Sequence, residues 1–415
     1  MWVLLLDIMK YADLDVLSYV IHAKEHHVHE ERRDGASPAR RTRERRWRAY
    51  SAGLAGMLLL AVGSSGCATA MGQHDAASHA ASQGSGNTEG GAGSLGRLNG
   101  LDGGKSSKIH AGGTLAGVSS GIMFGGDVPL ATAESKLGRK LAIVRVYDHL
   151  GHHFGSPLIN RIMAGGSTLL VSLDTLPPRG PSYAAIAAGR EDAAIESWLH
   201  QVEQSAVTYH LPAIYVSFEH EANVPSHHQG LGTPAQFVQA WDHIHQLAAA
   251  AHLNWNDGGR IHWVFILTHF AYNNGQVSQF WPGAHEVDIV AADGYNTGGC
   301  RAARSSHAHF TTGQTPPVTP ASLFTSLVRF AASHGSLPVF IAEWGSVAYR
   351  NANVRVNWIH QMQAFVQANP EIIAALYWDS QVPPCNYILN NSPSSLSALA
   401  SMAHAPNMQG KPAAT

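Results

Sequence analysis

Two stretches decide the architecture: Ala213-Ile-Tyr-Val-Ser-Phe-Glu-His-Glu-Ala-Asn223 and Leu337-Pro-Val-Phe-Ile-Ala-Glu-Trp-Gly-Ser346. Each is an apolar, strand-forming run that ends abruptly in a carboxylate, after which the chain turns away. Strands that are continuously apolar, rather than alternating, suit a parallel sheet buried on both faces. Outward from these two, six more runs read as strands: Gly117–Met123, Leu141–Tyr147, Thr168–Leu173, Ile261–Leu267, Asp288–Ala292 and Ile373–Trp378. The eight candidates lie within residues 117–378, about 33 residues per unit. Eight strand–helix units in about 250 residues are the signature of a closed (β/α)8 TIM barrel, an α/β fold. One intervening helix start is explicit. Thr233-Pro-Ala-Gln236 supplies a capping Thr, a first-turn Pro and a Gln at the third helical position. The helix it opens places Phe237, Trp241, Ile244, Leu247 and Ala248 on one face.

The barrel is expected over residues 113–404, with a flexible tail over 405–415. Residues 71–112 are rich in Gly, Ser and Ala and hold too few large apolar side chains to fold, which reads as a disordered linker. Residues 1–70 read as an N-terminal extension and a secretory signal. A basic run (Arg40, Arg41, Arg43, Arg45, Arg46, Arg48) precedes the apolar stretch Ala52–Val62 and a small-residue region ending at Ala70. The apolar part is too short to span a bilayer of about 30 Å. Ala68 and Ala70 suit ordinary cleavage, and Cys67 suits a lipidated N-terminus tethered to a membrane. Ser64, where a lipoprotein signal usually has Leu or Val, favours simple secretion. Residues 1–38 carry no export logic, and a mis-assigned translation start would explain them.

With 45% hydrophobic residues, the chain can bury a sizeable core. A formal net charge of −2 argues against a nucleic-acid footprint and for a neutral partner. Nothing in the composition points to more than a monomer. The 26 histidines scatter singly and in pairs, with no His-Glu-x-x-His or Cys-x-x-Cys spacing, so neither a metal nor another cofactor is expected. Three cysteines exclude a disulfide-dense scaffold. Cys300 and Cys385 fall on the loop side of the barrel, and in an exported protein they are expected to form a disulfide joining two mouth loops.

The ends of barrel strands deliver side chains to one rim. Two carboxylates there, Glu221 after the fourth strand and Glu343 after the seventh, are the minimal equipment for cleaving a glycosidic bond. His220 is placed to hold a sugar hydroxyl or to orient a carboxylate. Tyr295 is placed to donate to Glu343, keeping it ionised while Glu221 stays protonated. Trp378 offers a flat face for a pyranose ring. Asp293 either binds sugar hydroxyls or braces its loop. Arg145, Tyr147, Asp148 and Asp174 are expected rim contacts. Glu219 either perturbs Glu221 or forms a salt bridge. The pairs His152–His153, His227–His228 and His307/His309 either line the groove or are solvated.

His220-Glu221-Ala222-Asn223 resembles the acid/base motif of glycoside hydrolase family 26, the β-mannanase family of a retaining barrel clan. Ile341-Ala-Glu343-Trp-Gly-Ser346 resembles its nucleophile strand, Val287–Asn296 its sixth strand, and Phe237–His245 its fourth helix. The resemblance spans the whole expected barrel. It implies Glu343 as nucleophile and Glu221 as general acid/base of an endo-acting enzyme on β-1,4-mannan-type polysaccharide, with Asn223 and Trp344 among the sugar contacts. β-Xylan or mixed-linkage β-glucan are the alternative substrates. Three segments depart from the family. Ser217-Phe218-Glu219 replaces its Arg-Pro, Val224–Gly230 replaces a tryptophan-rich stretch, and Leu267-Thr-His-Phe270 replaces Ser-Pro-Asn. These bear on how sugars are held more than on bond cleavage, and they motivate a competing reading, a glycan-binding envelope protein on the same fold. An enzyme of phosphorylated metabolites is disfavoured, because the seventh and eighth loops lack a Gly-rich phosphate cradle.

Overall fold

The structure, a computed structural model, describes residues 123–126, 130–175, 180–227, 230–300, 310–382, 384–389 and 392–412. The signal, Cys67, the linker, His228, His307 and His309 lie outside them. Eight parallel strands close into a barrel in sequence order: β1 (Met123–Gly126), β2 (Ile143–His149), β3 (Thr168–Asp174), β4 (Ile214–Phe218), β5 (Ile261–Thr268), β6 (Ile289–Asn296), β7 (Val339–Ser346) and β8 (Ile372–Tyr377). β8 pairs back onto β1, which closes the barrel.

Period-two alternation divides the apolar side chains into two cores. Ile143, Leu170, Tyr215, Val264, Ile266, Ile289, Ala291, Phe340, Ala342 and Leu376 fill the barrel. The intervening positions pack outward, where the strands meet the helices. The helix Pro234–Ala250 shows why that outer layer forms. Thr233 accepts from Gln236 N, Gln236 returns the bond to the Thr233 N–H, and Phe237, Ala240, Trp241, Ile244 and Ala248 are buried. The expected capping box is therefore present.

Some boundaries differ from the sequence reading. The first strand is Met123–Gly126, later than expected and short. A Cβ on Gly125 would lie 2.3 Å from the Ile143 carbonyl oxygen, so only glycine lets β1 come this close to β2. β6 and β7 run on to Asn296 and Ser346, so Asp293, Tyr295 and Glu343 sit within strands rather than beyond them. The tail expected over 405–415 is packed as far as it is described. Pro406–Met408 forms a 3-10 turn, Met408 is fully buried, Gln409 bridges to Met123, and Arg139 donates to the Met408 carbonyl at 3.0 Å. A buried methionine at its centre turns this polar-looking segment into a cover for the outer core beside β1.

Candidate active site

β7 owes its site residue to an irregularity. Ala292 pairs with Ile341, but Asp293 pairs with Glu343, so Ala342 is an extra residue on the β7 side. A bulge of this kind bends a strand and re-aims the side chain that follows. Phe340 and Ala342 point into the barrel, and strict alternation would send Glu343 outward and Trp344 inward. The bulge reverses this. Glu343 faces the mouth, while Trp344 is fully buried among the helices, 5.0 Å edge-on to Tyr377 and 6.0 Å from Trp358. The expectation that Trp344 contacts sugar is corrected: it is core.

Three donors converge on Glu343. Arg145 lies 2.8 Å from Oε1, Tyr147 donates to Oε1 at 2.5 Å, and Tyr295 donates to Oε2. Arg145 and Tyr147 follow Ile143 on the inward face of β2. The Arg145 guanidinium is fully buried, is shared with Asp293 at 3.0 and 3.1 Å, and donates through Nε to Ser172 at 3.2 Å. It also lies 5.2 Å beneath the Tyr147 ring. Asp293 is 1% exposed and braces Arg145. Burial, with Glu343 and Glu221 adding to it, pushes its carboxyl well above the usual range against the opposing pull of Arg145. The brace runs to Arg145 on β2 and not to the loop after β6.

Glu221 sits differently. β4 stops at Phe218, and both Glu219 and Glu221 adopt left-handed backbone conformations, φ 49° and 53°. The Glu221 side chain is 17% exposed, and among the described residues it lies 3.4 Å from His227 Nδ1. Burial first, then the charge of Glu343, raises its pKa to about 8, against the opposing effect of Arg145. His220 lies beside it, 5.3 Å from the Tyr147 ring and 5.9 Å from His227. Burial, then Arg145 and His227, hold the His220 imidazole well below its usual pKa, so it stays neutral. Its Nδ1 is buried without a hydrogen-bond partner among the described residues.

The remaining expectations sort by face. Asn223 is 7% exposed and wholly engaged with Thr268, accepting from its N at 3.0 Å and donating to its Oγ1 at 2.7 Å. It braces the loop that carries Glu221 against the end of β5. Asp148 alternates outward from Tyr147 and accepts from the Trp198 indole at 2.9 Å, so it is a strand–helix tie and not a rim contact. Asp174 stays at the rim, paired with His149. Glu219 makes no salt bridge among the described residues; it accepts from Thr175 N and Oγ1, both at 2.7 Å. Trp378 and Tyr387 hold the Tyr295 ring at 5.3 and 5.2 Å. Against that cluster lies the Cys300–Cys385 disulfide, Cα–Cα 5.6 Å, as expected from sequence. The contacts of Arg145, Tyr147 and His227 to the two glutamates were not foreseen. For the β2 pair the signal was there: they continue the inward parity of Ile143. Among the described residues, no group of three or more His, Cys, Asp or Glu side chains is placed to hold a metal.

The fold is that of the family 26 β-mannanases. The barrel superimposes on the family 26 β-mannanase of Bacteroides ovatus with a TM-score of 0.50 and 13% identity, covering 69% of this chain and 90% of that one. The catalytic domain of a family 26 endo-β-1,4-mannanase from Bacillus sp. JAMB-750 gives 0.50 and 12%, covering 69% and 86%. Neither a protein-family model nor a curated protein matches the chain.

Proposed function

We propose that this chain is a retaining glycoside hydrolase acting on β-linked polysaccharide, with Glu343 as nucleophile and Glu221 as acid/base. The observation that carries the proposal is the contrast between the two carboxyls. One accepts from a guanidinium and two phenols, and the other is poor in partners with its pKa raised to about 8. Opposed environments for two carboxyls are what acid and nucleophile roles require. Glu343 Oε attacks the anomeric carbon while the Glu221 proton passes to the departing glycosidic oxygen. This forms one C–O bond and breaks the other. Esterification then removes the Glu343 charge, one of the causes that raise Glu221, so the Glu221 pKa falls and it becomes a base. It takes a proton from water as the water oxygen bonds to the anomeric carbon and Glu343 departs. Tyr147 and Arg145 must release Oε1, or Tyr295 Oε2, for the attack.

A β-1,4-mannan-type polymer, cut internally, is the first substrate to test. Support comes from the order of the Glu221, Tyr295 and Glu343 motifs and from the mannanase activity named for the two structural relatives. β-Xylan and mixed-linkage β-glucan follow. Export, freely or tethered through Cys67, is part of the proposal and rests on the N-terminal pattern, with which a disulfide accords. The test is oligosaccharide release from soluble β-mannans, β-xylans and β-glucans by the protein, Glu343→Ala and Glu221→Ala. Release by wild type, lost in both variants, supports the proposal. Binding without release by wild type replaces the enzyme with a glycan-binding protein.

A further inference from the structure

We infer that Glu219 is a positioning residue for Glu221: its clamp on Thr175 holds the left-handed turn that aims the acid/base carboxyl into the mouth. The inference rests on the acid/base role proposed above. The turn needs holding, because Glu219 and Glu221 both occupy a region of backbone space that non-glycine residues rarely adopt. Such conformations persist only where the surroundings over-determine them.

The surroundings here are the ends of the two strands that flank β4. On the β3 side, Glu219 N donates to the Leu173 carbonyl at 2.8 Å, and Glu219 Oε1 accepts both the N–H and the hydroxyl of Thr175. On the β5 side, Glu221 N donates to the Ile266 carbonyl at 3.0 Å, and Asn223 grips Thr268. The turn is thus strung between two rigid strand ends, and Glu219 is its side-chain anchor on one of them. A carboxyl 3% exposed is a costly way to fill space, which argues that the bonds themselves are needed. Continuing the parity of Tyr215 and Ser217 would point Glu219 up the barrel interior. The left-handed residue instead leads it aside to β3 and leaves the mouth to Glu221. Glutamine offers the same amide oxygen to both Thr175 donors, so the role belongs to the oxygen rather than to a charge.

The test uses the full chain, with Glu219→Ala, Glu219→Gln and Thr175→Val. It measures kcat/KM on aryl β-glycosides of the sugar that wild type cleaves. Departure of 2,4-dinitrophenolate needs no proton, and departure of phenolate does. Glu219→Ala is expected to lose about 10²-fold on the phenyl glycoside, the scale of a misplaced catalytic group, and little on the dinitrophenyl one. Glu219→Gln should retain both activities, and Thr175→Val should show the same selective loss to a smaller degree. If Glu219→Ala does not fold, Thr175→Val and Glu219→Gln carry the comparison. Equal loss on both substrates, or no loss on either, overturns the inference. If wild type cleaves nothing, the glycosidase reading fails and the carbon-13 carboxyl titration of Glu221 decides. A midpoint moved by Glu219→Ala or Thr175→Val but not by Glu219→Gln supports positioning, and a midpoint moved by none overturns it.

Discussion

The alkaline limb of the pH–rate profile should belong to Glu221, and its position follows from the structure. Glu221 is buried, faces the charge of Glu343, and has its pKa raised from 4.5 to about 8. That corresponds to some 5 kcal/mol by which its ionisation is disfavoured, an order-of-magnitude figure. At pH 7 about ten molecules carry the proton for each that lacks it, and at pH 9 the ratio is inverted. Only the protonated form serves as acid. On a phenyl glycoside or a polysaccharide, kcat/KM should therefore fall about tenfold per pH unit above about 8. On a dinitrophenyl glycoside, whose leaving group needs no proton, the limb should be absent over the same range. Glu343→Gln removes the second-largest cause, so in that variant the carbon-13 titration of Glu221 should move down from about 8. It should stay above 4.5, because burial, the largest cause, remains. A limb below about pH 6, or an equally steep limb on both leaving groups, would refute the reasoning.

Arg145→Met should destabilise the fold by about 3–5 kcal/mol in urea titration, because it strands Asp293 at 1% exposure. Adding Asp293→Asn should recover part of the loss, and an unchanged midpoint in the single variant would contradict the pairing. Tyr295→Phe removes one donor to the Glu343 carboxylate and should lower kcat about 10- to 10²-fold, with the far-ultraviolet spectrum unchanged. Cleaving the Cys300–Cys385 bond, which closes a loop of sequence separation 85, should cost about 2–4 kcal/mol, read as a lower Tm in the Cys300→Ser/Cys385→Ser variant. Glu219, its pKa also raised to about 8 by burial, holds its proton in the folded state where the unfolded chain has released it. Its contribution to stability is present below about pH 4.5 and is lost as pH rises through about 8. Glu219→Gln should flatten that decline between pH 5 and 9, by a few kcal/mol at most.

The barrel was legible because its strands are continuous apolar runs separated by helix-length segments, and because buried parallel strands have few alternatives. Seven of the eight fall where the hydrophobic runs place them. The exception, β1, is short and glycine-containing, and the close approach of Gly125 to Ile143 leaves little hydrophobic signal to read. The packed segment 405–412 was missed for a related reason: one buried Met408 fixes it, and a single methionine makes no pattern.

The site was legible in its glutamates and less so in its neighbours, and parity explains the division. On β2 unbroken alternation from Ile143 sends Arg145 and Tyr147 to the mouth and Asp148 to Trp198, so a stricter reading of the sequence would have kept the first two and dropped the third. On β7 the same rule fails. Counted from Phe340, it places Trp344 in the mouth and Glu343 among the helices, and only the extra residue at Ala342 exchanges them. Nothing in Val339-Phe-Ile-Ala-Glu-Trp-Gly-Ser346 marks that bulge, since alanine there is as compatible with a regular strand. On β4 a turn follows the strand instead, with left-handed Glu219 and Glu221 where alternation would have continued inward. Of the two candidate catalytic carboxyls, Glu343 thus reaches the mouth through a local break in strand regularity, whereas Glu221 keeps the parity of Tyr215 and Ser217 and the turn before it takes Glu219 aside to Thr175. That is the expected place for sequence periodicity to fail. A closed barrel leaves each strand one inward parity, and on β7 Glu343 does not fall on that of Phe340 and Ala342.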